Sequence, residues 1–282
     1  MDAPERDFVF EPADFRRVRE LIYQHAGIVL ADSKQQLVYS RLSRRLRALK
    51  LQSFKEYLDG MERGELDDWQ NFVNALTTNL TSFFREPHHF PILAEHLRRP
   101  RPGRSHRIWC SAASTGEEPY SIAITAVEAL GPNPPVEILA SDIDTQCLRK
   151  AAEGVFSLES AEKLAPEQLR RYFLRGTGPR DGLVRVRPEL QSLIRFQQVN
   201  LLDARYPFQG PFDVIFCRNV MIYFDKPTQL KILERFSSVL APDGLLFCGH
   251  SENFTQARGL FRLRGKTVYE LAAPAQAGRS AA

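Results

Sequence analysis

From residue 106 to residue 250 the chain alternates between two periodicities. β-prone runs stand at 108–110, 136–140, 194–199, 214–217 and 245–249, and helical runs at 119–129, 145–152 and 227–240 lie between several of them. A strand that returns to its sheet through a helix enters parallel to its predecessor by a right-handed crossover. The alternation therefore predicts a mainly parallel α/β sheet covered by helices. Ligands in such sheets bind beyond the carboxyl ends of the strands. Polar residues just after a β-prone run are the candidates for a site.

Residues 1–90 show no period-two pattern and are expected to form an N-terminal helical domain. Pro12 or Asp14 opens a helix to about His25, with Phe15, Val18, Leu21 and Ile22 at helical spacing. Asp32 or Ser33 can cap a second helix. It carries Leu37, Leu42, Leu46 and Leu49 on one side and Arg41, Arg44, Arg45 and Arg47 largely on others. Two shorter helices follow at 54–63 and 67–76. Pro87 opens another to about residue 97, and RRPRPGRSH (98–106) reads as a linker into the α/β domain, expected over 91–272. Runs at 172–175, 182–187 and 194–198 are too close together for strand–helix–strand units. They predict a small antiparallel β-subdomain inserted at about 170–198, with edges open to a peptide by strand addition. Residues 273–282 read as a disordered tail.

Composition excludes some classes. A content of 43% hydrophobic and 26% charged residues is that of a soluble globular chain. A net charge of +4 is too small to imply nucleic acid. No apolar run approaches the ~20 residues of a membrane span, and residues 1–10 are too charged for a signal peptide, so a cytoplasmic protein is expected; a monomer is expected as well. Cys110, Cys147, Cys217 and Cys248 are scattered without metal spacing and are read as buried thiols. His88 and His89 have no partner acid at metal spacing, so no metal is expected.

Five polar clusters follow the predicted elements: TTNLTSFFRE (77–86), SAASTGEEPY (111–120), ASDIDT (140–145), VNLLD (199–203) and FCRNVMIYF (216–224). The small residues Ser111 to Gly116 let a ligand approach the backbone. They lack the spacing of a dinucleotide fingerprint and the lysine of a P-loop, and Glu117 and Glu118 would repel a phosphate. A positively charged ligand without phosphate, such as S-adenosylmethionine, fits better. An acid after the second strand is placed to hold ribose hydroxyls; Asp142 is the candidate, and Asp144 is read as a helix cap. Asn200 can present its amide to an adenine edge.

These segments, with TTNLTSFFREPHHF, FCRNVMIYFDKPTQ and PDGLLFCGHSENF, resemble the CheR-type chemotaxis receptor methyltransferases from about Phe8 to Leu271. The resemblance implies a Rossmann-like S-adenosylmethionine-dependent fold and methyl transfer to glutamates of chemotaxis receptors, with S-adenosylhomocysteine as product. It implies cofactor contacts from Asn79, Thr81, Arg85, Glu118, Asp142, Asn200, Leu201, Arg218 and Asn219. Arg85 and Tyr223 match residues proposed to line the active site. The basic helix bearing Arg41, Arg44, Arg45 and Arg47 would face the receptor's acidic methylation helices. The β-subdomain, through 182–187 and its adjoining turn, would hold the receptor's C-terminal peptide. A nucleic-acid methyltransferase and a non-catalytic, cofactor-sensing scaffold are the alternatives. Nucleic-acid amino methylation commonly uses an Asn/Asp-Pro-Pro-aromatic motif where this chain reads RNVMIY, and an intact Arg85 and Tyr223 argue against the scaffold.

Overall fold

The computed structural model describes residues 7–272; the tail expected at 273–282 lies outside them. Residues before 90 form helices α1 (Pro12–Ala26), α2 (Gln35–Leu49), α3 (Phe54–Glu62) and α4 (Trp69–Leu76). Pro12 sits in the first turn of α1, where its missing N–H costs nothing, and Gly27 ends the helix in the left-handed region at φ +67°. Phe15, Val18, Leu21 and Ile22 are buried as their spacing predicts. They pack on Val38, Leu42 and Leu46 of α2 and on Phe54, Tyr57 and Phe72.

The arginines of α2 are less free than their sequence suggests. Arg41 Nη1 donates to the carbonyls of Ala75 (3.2 Å) and Thr77 (2.5 Å). Arg45 Nε donates to buried Asp68 at 2.9 Å, and Arg47 Nε to Asp7 at 2.8 Å. Arg41 and Arg45 close the last turns of the helical domain against α4, and Arg44 remains on the exposed side.

The main sheet has seven strands in the order β6-β2-β1-β7-β8-β10-β9. These are β1 (His106–Cys110), β2 (Val136–Asp142), β6 (Ile194–Gln198), β7 (Phe212–Cys217), β8 (Leu240–Cys248), β9 (Phe261–Gly265) and β10 (Val268–Leu271). The first five named in that order run parallel, and β10 and β9 close the sheet as an antiparallel pair. Alternate residues of β1 point to opposite faces. Ile108 and Cys110 enter one apolar core and Trp109 the other. Covering these faces are α5 (His89–Leu97), α6 (Glu117–Leu130), α7 (Thr145–Glu153) and α10 (Lys226–Val239). All four cysteines are buried and free.

The small sheet departs from expectation. Its order is β3-β5-β4, from Val155–Ser157, Leu183–Val186 and Phe173–Arg175, with the short α8 (Pro166–Tyr172) leading into β4. Segment 194–198 is not its third strand: after the one-turn α9 (Pro188–Gln191) it pairs in parallel with β2 and forms an edge of the main sheet. The third strand is β3, too short to carry a period-two signal. β5 is the middle strand, hydrogen-bonded on both sides. A peptide therefore cannot add to 182–187, and the free ladders are those of β4 and β3.

Helical domain and sheet meet at the carboxyl ends of β2, β6 and β7. Gln70 Nε2 donates to Ile143 O (3.0 Å), Asn74 Nδ2 to Thr145 Oγ1 (3.0 Å) and Val29 N to Tyr223 O (2.8 Å). Tyr23 Oη donates to Asp225 Oδ2 at 2.8 Å.

Candidate active site

A cavity of about 360 Å3 opens between the helical domain and the strand ends. All ten residues expected to contact the cofactor or the reaction centre line it: Asn79, Thr81, Arg85, Glu118, Asp142, Asn200, Leu201, Arg218, Asn219 and Tyr223.

The segment after α4 supplies the first three. Thr77 Oγ1 (2.7 Å) and Asn79 Nδ2 (2.8 Å) both donate to Asp144 Oδ2, while Asp144 Oδ1 caps α7 through the amides of Gln146 and Cys147. One carboxylate thus ties the segment to the second strand, and the cap expected of Asp144 is present. Phe83 is fully buried and meets Phe156 and Phe173 edge-to-face. That burial contributes roughly 2 kcal/mol and fixes the segment's position. Phe84 and Glu86 have positive φ (50° and 54°), so the chain turns sharply on either side of Arg85. Such conformations cost ~1–3 kcal/mol each and persist where surrounding contacts impose them. Arg85 Nη1 donates to Leu80 O at 2.8 Å.

After β1 the backbone turns through Ser114 (φ 48°) and Gly116 (φ 105°). A Cβ at Gly116 would lie 3.0 Å from the Cα of Ala151, so glycine lets α7 approach the loop. Glu118 opens α6 and faces Arg218, whose Nη1 lies 3.1 Å from Glu118 Oε2; the Cys110 thiol donates to Oε1 at 3.3 Å. Burial raises the Glu118 pKa and the arginine opposes the shift. Burial and the neighbouring Glu118 push the Cys110 thiol up, so it stays protonated.

Asp142 ends β2. Its Oδ2 accepts from Ser114 N (2.8 Å) and its Oδ1 from Asp144 N (3.0 Å). Burial pushes its pKa up to about 6 against the backbone amides of Asp144, Ser114 and Ile143. A carboxylate has about four acceptor directions, so these amides leave acceptor capacity for a further donor. Beyond β6, Asn200 spends its amide on the fold: Nδ2 donates to His25 O (2.7 Å) and Oδ1 accepts from Leu202 N (3.0 Å).

The loop after β7 holds Arg218 and Asn219. Arg218 is buried; one Nη donates to Arg85 O, and its Nε has no hydrogen-bond partner. Asn219 sits at φ 59° against Gly249, where a Cβ would stand 2.5 Å from its Nδ2. Tyr223 ends the 3-10 turn Met221–Tyr223.

Two residues escaped the sequence reading. Glu252 accepts from the amides of Gly249 (2.5 Å), Asn219 (3.1 Å) and Met221 (2.8 Å), stapling the β7 loop to the β8 loop. Glu86 accepts from Asn219 Nδ2 and His250 N, both at 3.3 Å, and faces Arg218 at 3.6 Å. Burial works to raise the Glu86 pKa; Arg218 and those hydrogen bonds outweigh it and hold the group below the usual carboxylate range. Their signal was GHSEN and the acid of FFRE, but Glu86 meets Asn219 across 133 residues and Glu252 meets it across 33, contacts visible only once the sheet brings them together. Glu86 also corrects the reading of the histidine pair: it is the partner acid, since Glu86, His88 and His89 place ligand atoms within 4.8 Å of one another. Arg218 already supplies positive charge to that carboxylate.

Glu118 in the first turn of α6 and Asp142 at the end of β2 line one cavity at the parallel strands, and the family match gives the class: S-adenosylmethionine-dependent methyltransferases. Residues 79–270 match the family described as CheR methyltransferase, SAM binding domain, and residues 13–77 the one described as CheR methyltransferase, all-alpha domain. The chain is 61% identical over 261 residues to the chemotaxis protein methyltransferase of Salmonella typhimurium, covering 92% of this chain and 90% of that protein. It is 58% identical over 261 residues to that of Escherichia coli (92% and 91%). It is also 58% identical over 266 residues to chemotaxis protein methyltransferase 2 of Pseudomonas aeruginosa (94% and 95%). The chain belongs to the CheR methyltransferase family. Its reaction is S-adenosylmethionine-dependent methylation in chemotaxis. No helix among the described residues is long and apolar enough to cross a membrane.

Proposed function

We propose that the enzyme esterifies the side-chain carboxylates of specific glutamates on chemotaxis receptors. The observation that carries this reading is that Arg85 and Tyr223 line the same cavity as Glu118, Asp142 and Arg218, so one space offers both a donor site and an acceptor site. Asp142 retains acceptor capacity for ribose hydroxyls, and Arg218 has a buried Nε without a partner. Both fit S-adenosylmethionine. That group, when bound, supplies a methyl activated on a positive sulfonium.

The protein's own residues then have little covalent work. A glutamate has a reference pKa near ~4.3, so the acceptor is ionised at neutral pH and no residue must take its proton. Arg85 orients the carboxylate through its guanidinium. Tyr223 donates a further hydrogen bond or shapes the methyl pocket. The sulfonium charge vanishes during transfer, so fixed negative charge beside sulfur would slow the reaction. Glu118 is paired to Arg218 and Asp142 serves the ribose, which keeps both acids occupied elsewhere. Asn79, Thr81, Leu201 and Asn219 complete the cofactor walls, and Asn200 acts by fixing its loop to the end of α1. No metal is required for this chemistry.

Receptor engagement has two further parts. Arg44 and the exposed Arg47 present positive charge to acidic methylation helices; Arg41 and Arg45 act mainly by holding α2 in place. The β-subdomain takes the receptor's C-terminal peptide along β4 and the turn at 176–182, where Leu174 is exposed on a free ladder. The enzyme is read as a cytoplasmic monomer. The test is transfer of tritiated methyl to receptor-containing membranes: label released by mild alkali marks an ester, and alkali-stable label or none refutes the acceptor assignment.

A further inference from the structure

Glu86, His88 and His89 stand just past Arg85 and outside the residues that line the cavity. Two of them carry buried atoms that the fold leaves unused. His89 is fully buried. Its Nε2 lies 2.8 Å from the Lys266 carbonyl. A carbonyl only accepts, so Nε2 carries the ring hydrogen. A ring cut off from water stays neutral, which leaves Nδ1 with a lone pair, and Nδ1 has no hydrogen-bond partner. Glu86 is divided in the same way. Its Oε1 accepts from Asn219 Nδ2 and His250 N, both at 3.3 Å. Its Oε2 is buried without a hydrogen-bond partner and lies 3.8 Å from His89 Nδ1. His88 is half-buried, and its ring centroid is 4.3 Å from that of His89. One ligand atom from each of the three residues lies within 4.8 Å of the others.

Lone pairs that converge with no hydrogen between them are complemented by a cation. We infer that Glu86, His88 and His89 form a binding site for a divalent transition ion of the zinc kind, apart from the methyl-transfer chemistry. Two imidazole nitrogens and one carboxylate oxygen suit Zn2+ and disfavour Mg2+, which takes oxygen ligands. Tetrahedral bonds of about 2.0–2.2 Å set ligand atoms roughly 3.4 Å apart, so Oε2 and Nδ1, at 3.8 Å, need move little. The contact from His89 Nε2 to a carbonyl is the outer-shell bond that fixes the tautomer and orientation of a ligating histidine. Arg218 is the opposing charge, 3.6 Å from Glu86 Oε2. It is also paired with Glu118 at 3.1 Å and donates to the Arg85 carbonyl. Two carboxylates thus face one guanidinium, and the cluster keeps one negative charge for the ion. Glu86 follows Arg85 in a left-handed turn at φ 54°. An ion gripping residues 86, 88 and 89 would hold that turn, and with it the direction in which Arg85 points. The site stands whatever the methyl acceptor is.

The test uses the full-length enzyme, freed of metal by a chelator, with Zn2+ alone as titrant. Calorimetry should show saturable binding of one ion per chain, and the melting temperature should rise with Zn2+, as for any ligand that binds only the folded state. His88→Gln and Glu86→Gln should each weaken Zn2+ at least tenfold, since even an outer-shell partner is worth about 10–100-fold. His25→Ala removes an exposed histidine at the end of α1 and should bind as wild type. Mg2+ should not compete. Absence of saturable binding by the wild type overturns the site. So does unchanged Zn2+ affinity in His88→Gln, or displacement of Zn2+ by equimolar Mg2+. If a variant melts early without metal, the Co2+-loaded wild type decides: a visible spectrum of four-coordinate, nitrogen-ligated cobalt supports the site, and one of six-coordinate oxygen ligation overturns it.

Discussion

Cofactor affinity should depend on pH through Asp142, and the sign follows from its burial. The free protein holds this carboxyl at a pKa of about 6, because burial disfavours its charge more than the amides of Ser114 and Asp144 favour it. Ribose hydroxyls donate best to an ionised carboxylate, so binding pulls the pKa down and releases a proton. Affinity is then full above pH 7 and falls as pH drops through 6. With that pKa the ionised fraction goes from about nine-tenths at pH 7 to about one-tenth at pH 5, a roughly tenfold weakening or ~1.4 kcal/mol. The assay is calorimetric titration with S-adenosylhomocysteine from pH 5 to 8 in buffers of differing ionisation heat, which also counts the proton released. Asp142→Asn should bind more weakly at pH 7, by ~1–3 kcal/mol for a lost charged acceptor, and its profile should flatten. Glu118 is the other buried acid in the cavity with a raised pKa; any slope left in the variant belongs to it. An affinity constant from pH 5 to 7, or an identical slope in Asp142→Asn, would refute the ribose assignment. For stability the sign reverses: the folded pKa lies above the unfolded one, so this group's contribution is present below about pH 4 and is lost as pH rises to 6.

Arg85→Ala should lower kcat by ~10²–10³, the scale of one lost electrostatic contact to the reacting group, while the melting curve stays unchanged; near-normal turnover would remove Arg85 from the site. Arg45→Ala should destabilise the fold by about 3 kcal/mol, because buried Asp68 loses its guanidinium partner and keeps only the donors of Tyr57 and Asn71, whereas Arg44→Ala should leave the melting temperature alone and weaken only receptor binding; equal melting temperatures for the two would contradict these partners. Gly249→Ala should cost ~1–3 kcal/mol and impair turnover, since the new methyl meets Asn219 Nδ2 at 2.5 Å, and a thermally silent variant with full activity would show that the β7 loop yields freely. Deleting Thr177–Pro179 should weaken capture of a receptor C-terminal peptide at least tenfold and spare S-adenosylhomocysteine binding; peptide affinity that survives would move the dock away from β4.

Strand–helix alternation determined the sheet, and small or acidic residues after strands marked where its ligand would lie, because periodicity and backbone chemistry are local properties. The four N-terminal helices and the cap at Asp144 were equally local. Pairing is not local. The chain alone could not tell that 194–198 leaves the small sheet to lie beside β2, or that a three-residue strand at 155–157 replaces it, since a short run carries no register until a neighbour supplies hydrogen bonds. Glu86 and Glu252 went unread for the same reason: their importance lies in burial and in joining the β7 loop to other loops. Motif spacing brought Arg41 and Arg45 forward as a docking face, and tertiary packing turned them inward to carbonyls and to Asp68. Residue type and order thus fixed which chemistry was available, while the closing of the helical domain over the strand ends decided which groups are buried, and so which of them hold the cofactor, the acceptor or only the fold.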